Sequence, residues 1–107
     1  MAKYLFQASY TTDGVKGLLK DGGSKRRAAV EEALKGLGGR LDGLYFAFGE
    51  TDVFALVDVP DHATAAAIAL TVSASGAVHV KTTVLMTPEE VDQATRKTVR
   101  YRAPGQK

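Results

Sequence analysis

The stretch Leu41–Val59 constrains the fold more than any other part of the chain. It reads Leu-Asp-Gly-Leu-Tyr-Phe-Ala-Phe-Gly-Glu-Thr-Asp-Val-Phe-Ala-Leu-Val-Asp-Val. Aromatic and β-branched residues crowd two arms, and Gly and Asp separate them, which is the signature of two strands joined by a turn. The spacing predicts a tight turn at Gly49–Thr51. Leu44, Phe46 and Phe48 share one face of the first arm, with Tyr45 and Ala47 opposite. Phe54 and Leu56 share one face of the second arm, with Val53, Ala55 and Val57 opposite. Both arms are apolar on both sides, and strands of that kind are covered on both sides.

The rest of the chain supplies cover for only one side. Residues 3–10 alternate as a strand, with Tyr4, Phe6, Ala8 and Tyr10 on the core face and Lys3, Leu5, Gln7 and Ser9 opposite. Thr11 or Thr12 caps a short helix bearing Val15, Leu18 and Leu19. Asp21-Gly22-Gly23 breaks it. Ser24 is positioned to cap a second helix from Lys25 to Leu37, whose face is Val30, Ala33, Leu34 and Leu37. Gly38-Gly39 ends it. After the hairpin, Pro60-Asp61 starts an Ala-rich helix over 62–74, and small residues there let it sit close to a sheet. Residues 77–86 form the last strand, with Val78, Val80, Thr82, Val84 and Met86 on one face and His79, Lys81, Thr83 and Leu85 on the other. Thr87-Pro88-Glu89-Glu90 is a helix start with a capping box, for a helix running to about Thr98.

Strand, helix, strand, strand, helix, strand is the ferredoxin-like order of an α+β fold. Right-handed crossovers predict an antiparallel sheet in the order 4-1-3-2 with its helices on one face. The other face is half polar on the first and last strands and apolar on the middle pair. Two such sheets packed face to face would bury it and enclose a partly polar cavity, so the expected partner is a second copy of the chain.

The 107 residues suffice for one domain, with about 99–107 as a tail that is frayed or docked on a partner chain. Fourteen cations against twelve anions make no clustered basic face, so nucleic acid is not an expected partner. There is no Cys to form a disulfide, a thiolate nucleophile or a Cys-based zinc site. No apolar run approaches the ~18 residues of a membrane span, and the N-terminus lacks a secretory pattern. A cytoplasmic location and no cofactor are the expectations.

Nearly the whole chain resembles the GYD domain family, within the dimeric α/β-barrel group of ferredoxin-like proteins. The likeness rests on Lys3-Tyr4-Leu5, Tyr10-Thr11, Gly38-Gly39, Tyr45 to Asp52, Thr82 and Thr87-Pro88-Glu89-Glu90. The naming motif Gly-x-Tyr-Asp stands here as Gly49-Glu50-Thr51-Asp52, with Thr51 in place of the Tyr. The resemblance implies a fold and a dimeric barrel. It implies no reaction, because the barrel group includes monooxygenases, haem proteins and regulatory amino-acid-binding domains.

No nucleophile, base and acid fall into a catalytic pattern. The residues set aside as a ligand-binding group are Gln7, Tyr45, Asp52, His79 and Lys81. Asp52 reads either as a carboxylate at a barrel mouth or as a turn residue accepting backbone N–H bonds. His79 reads as a pocket acid/base or metal or haem ligand, or as a sheet-surface hydrogen bonder. Tyr4, Tyr10 and Tyr45 line a cavity or fill a core. Gln7, Lys81 and Thr83 form a cross-strand ladder or orient a ligand. Lys25-Arg26-Arg27, after Gly22-Gly23-Ser24, reads as a phosphate-binding turn or, preferably, as a solvated face. The leading function is small-molecule binding between paired sheets. The alternative is a structural or regulatory interaction module.

Overall fold

The structure is a computed structural model and describes residues 1–106. Its elements are β1 (Ala2–Tyr10), α1 (Thr12–Asp21), α2 (Gly23–Lys35), β2 (Arg40–Phe46), β3 (Val53–Val59), α3 (His62–Ala74), β4 (Val78–Leu85) and α4 (Pro88–Thr95). The strands form one antiparallel sheet in the order β2-β3-β1-β4, the expected arrangement of a ferredoxin-like α+β fold. Between β2 and β3 the chain takes six residues rather than a tight turn. Ala47 N–H donates to the Asp52 carbonyl, and Asp52 N–H donates to Ala8 on β1, so the loop folds back onto the neighbouring strand.

Three helix starts carry side-chain caps. Thr11 Oγ1 accepts from Gly14 N–H, Asp61 from Thr64 N–H, and Thr87 with Glu90 completes a reciprocal capping box. Ser24 does not cap α2, contrary to the reading from sequence. Gly22, at φ +81°, turns the chain so sharply that α2 begins one residue before Ser24, with no side-chain cap.

One sheet face carries the core. Tyr4, Phe6, Ala55, Val57 and Val59 meet Leu34 of α2 and Ala65 of α3. Register alone does not put β2 into this core. A bulge at Asp42–Gly43 sets two β2 residues against Leu56, which shifts the alternation by one. Leu41, opposite Val57, and Leu44, opposite Ala55, therefore both face the helices. At the far end of β4, Val84 and Met86 alternate onto the same face as Val78 and Val80, yet are more than half exposed. This is the outer strand, and α3 covers it near Val78 and Val80, not at its far end.

Residues 87–106 leave the body. None of α4 is buried, and it makes no extensive contact with another element. The radius of gyration is 17.3 Å with extents of 60 × 32 × 22 Å, against about 13 Å for a close-packed chain of this length. The arm ends its helix at Thr95, short of the expected Thr98, and continues without regular structure, with Val99 and Tyr101 exposed.

Two glycines of α1 make opposite demands. A Cβ on Gly14 would lie 2.1 Å from the Ala77 carbonyl oxygen and 2.7 Å from the Tyr10 ring, while one on Gly17 would meet nothing within 4 Å. Gly14→Ala is expected to destabilise the fold by about 1–3 kcal/mol through overpacking. Gly17→Ala is expected to stabilise it by about 0.5–1 kcal/mol through helix propensity. Urea denaturation of the two variants checks both signs, and a stabilised Gly14→Ala would refute the close packing of α1 on the start of β4.

Candidate functional site

The helix-free face of the sheet is built as four cross-strand rows. Ser9 and His79 are paired at one rim. Next come Tyr45, Phe54, Gln7 and Lys81, one residue from each strand. Gly43, Leu56, Leu5 and Thr83 follow in the same way. At the opposite end stand Arg40, Asp58, Lys3 and Leu85, with Asp42 carried alongside by the bulge. The middle two rows are thus apolar on the β2–β3 side and polar toward β4. Tyr45 is 68% exposed and Leu56 38%. The Tyr45 ring lies over Gly43, where a Cβ would come within 3.2 Å of it.

The ionic end is a closed quartet. Lys3 Nζ donates to Asp42 Oδ2 at 3.0 Å and to both oxygens of Asp58 at 3.0 and 3.1 Å. Arg40 Nε donates to Asp42 Oδ1 at 2.9 Å, and its Nη2 to Asp58 Oδ2 at 2.7 Å. Asp58 is 3% exposed, so its charge requires both cations. The hydrogen bond from Lys3, with Arg40 adding to it, holds Asp42 below the usual carboxylate range. The two carboxylates hold Lys3 above the usual range for an ammonium. With two charges of each sign the quartet is neutral, and it was not anticipated from sequence. The one signal was Asp58 itself, a lone carboxylate in an otherwise apolar strand.

The five residues set aside from sequence divide. Tyr45, Gln7 and Lys81 share one row, and His79 lies at the adjoining rim. Asp52 is off the face. Its Oδ2 accepts the Tyr10 backbone N–H at 2.8 Å, a turn-fixing role. The loop carrying it still borders the rim, because Ser9 Oγ donates to the Glu50 carbonyl at 2.6 Å. Lys81 takes part in no ion pair among the described residues. No three His, Asp or Glu side chains there are grouped to hold a metal. Tyr4 is 2% exposed and belongs to the core, where its hydroxyl meets His62 Nδ1 at the start of α3.

A second concavity lies on the other side of the sheet. It is a cavity of about 210 Å³ between α2, α3 and the strands. Its walls are apolar except for Tyr10 and Arg26. None of the five residues lines it.

A family model described as the GYD domain matches residues 4–95. No curated protein and no solved structure matches. No helix among the described residues is long and apolar enough to cross a membrane.

The quartet makes stability depend on pH in a defined sense. Asp42 titrates lower in the fold than in the unfolded chain, so its contribution is present above the unfolded value of about 4 and lost as pH falls through the folded one. Lys3 titrates higher in the fold, so its contribution is present below about 10.4 and lost as pH rises beyond it. Urea melts at neutral and acid pH are expected to show Asp42→Asn losing less stability on acidification than the wild type. Equal losses would contradict the role given to Asp42.

Proposed function

The chain belongs to the GYD domain family, and on that premise we propose that it works as a homo-oligomeric small-molecule-binding domain, with a ligand site enclosed when two sheets pack face to face. The observation that carries this reading is the helix-free face. Leu5, Tyr45, Phe54 and Leu56 sit together at its centre, and no element of the chain covers them.

The sheet face alone brings association close to balance. Full burial of a large apolar side chain is worth roughly 1.5–3 kcal/mol. Eight such side chains from two copies, discounted by half because Leu5 and Phe54 are already half-buried, give about 6–12 kcal/mol. Association itself costs an estimated ~4–15 kcal/mol. The projecting arm supplies what the sheet lacks: Val91, Val99 and Tyr101 are exposed on a segment that reaches away from its own body. Gln7, His79 and Lys81 of each copy then edge the enclosed space. The Lys81 ammonium, in no ion pair among the described residues, stands beside the Gln7 amide and suits a ligand with a polar or anionic group.

One observation favours a purely structural or regulatory module instead. Asp52, the one carboxylate among the five candidate residues, is engaged by the Tyr10 N–H.

Light scattering after size exclusion tests the pairing. The wild type is expected to run as a dimer or higher oligomer at micromolar concentration. Phe54→Asp, which places an unpaired charge where two sheets meet, is expected to run as a folded monomer with unchanged circular dichroism. A monomeric wild type, or an oligomeric Phe54→Asp, would overturn the proposal.

A further inference from the structure

The helix-side cavity is a void that the chain leaves open between its own layers. α2 and α3 both lie on the sheet, yet they make no extensive contact with one another. The side chains that α2 and α3 present around the space include Ala29, Ala33 and Ala69, too short to close it. The floor is Phe6, Ala55 and Val80 of the sheet. Apart from Tyr10 and Arg26, such walls offer water few hydrogen-bonding partners, and enclosed apolar cavities of about 150 Å³ stay dry and take up benzene. At about 210 Å³ this one is larger and partly open to solvent, with Ala29, Ala33 and Phe46 exposed at its edge. Protein interiors seldom leave such a volume empty, since filling it recovers lost dispersion contacts.

One end is different. Arg26 and Tyr10 line both this cavity and the groove beyond it, between α1 and the end of α3. Arg26 stands in the first turn of α2, which carries no acid. Its neighbour Arg27 reaches Glu31 four residues on, at 3.8 Å. At the same spacing from Arg26 is Val30, an apolar wall of the cavity. Arg26 is half-buried, whereas Lys25 and Arg27 are exposed, and it enters no ion pair among the described residues. Asp13 and Asp21 line the outer groove but not the cavity. The basic run that sequence reads as a solvated face therefore turns one of its three cations to the edge of an apolar chamber. A partly desolvated guanidinium binds a carboxylate bidentately and holds it more tightly than water-exposed cations do.

We infer that this cavity is a binding site for an apolar monocarboxylate, its tail between α2, α3 and the sheet and its carboxylate on Arg26 at the end that Tyr10 also lines. Scaling from benzene in a ~150 Å³ site, the volume takes about eight carbon atoms. That size is the tail of a medium-chain fatty acid. The site is separate from the sheet-to-sheet face, and neither requires the other.

Titration of the full chain with straight-chain carboxylates, followed by calorimetry, tests the assignment. Affinity is expected to rise about fourfold per methylene from hexanoate, since each buried methylene contributes ~0.8 kcal/mol, and to level off near decanoate as the volume fills. Arg26→Gln is expected to weaken decanoate at least tenfold and leave decanol unchanged. Ala69→Leu, which fills the chamber from α3, is expected to abolish binding of both. Phe54→Asp, in the other face, is expected to bind decanoate as the wild type does, so failure of the dimer reading and failure of this one are told apart. Absence of saturable binding, affinity that ignores chain length, an Ala69→Leu variant that binds normally, or decanol weakened as much as decanoate by Arg26→Gln would each overturn it.

Discussion

Strand alternation gives every residue of β1 and β3 one of two faces, and this chain owns helices for only one of them. Everything distinctive about the molecule depends on that imbalance. Tyr4, Phe6, Val57 and Val59 are buried because α2 and α3 lie over them. Leu5, Phe54 and Leu56, on the same two strands one residue away, have no such cover. A central strand that is apolar on both sides cannot slip by one residue to escape, because both sets are greasy. Hence the proposal that a second copy supplies the cover.

The ionic quartet shows how the sheet limits that exposure at one end. Lys3, Arg40, Asp42 and Asp58 come from three strands and converge only because β1, β2 and β3 hold their register. The bulge serves two ends together. It places Asp42 where Lys3 and Arg40 can reach it, and it turns Leu41 and Leu44 toward the core. Salt bridges of this exposure add little stability alone. Their consequence is specificity: a slipped register would leave Asp58, almost fully buried, without its cations.

Much of this was legible in the sequence. Alternation and the order of elements gave the sheet, and Thr11, Asp61 and Thr87 marked three helix starts because short polar side chains satisfy first-turn N–H groups. Ser24 misled for a positional reason, since Gly22 can adopt a positive φ and starts α2 earlier. The quartet was hidden because residues 3, 40, 42 and 58 become neighbours only through strand pairing. The cavity was hidden for a subtler reason. Alanines in α3 let the helix sit close to the sheet, as the burial of Ala65 shows. The same small side chains, with Ala29 and Ala33 of α2 across from them, leave the space between the helices unfilled. Tyr45, Gln7, His79 and Lys81 could be grouped from alternation alone, whereas the hydrogen bond that draws Asp52 away depends on how the β2–β3 loop folds back.

The central claim is that a second copy of the chain covers the helix-free face. Isotope-filtered NMR on a mixture of labelled and unlabelled protein measures this without altering the sequence. Contacts between chains are expected from the Leu5 and Leu56 methyls to the Phe54 and Tyr45 rings. If those methyls show contacts only within their own chain, with water over them, the face is bare and the account fails.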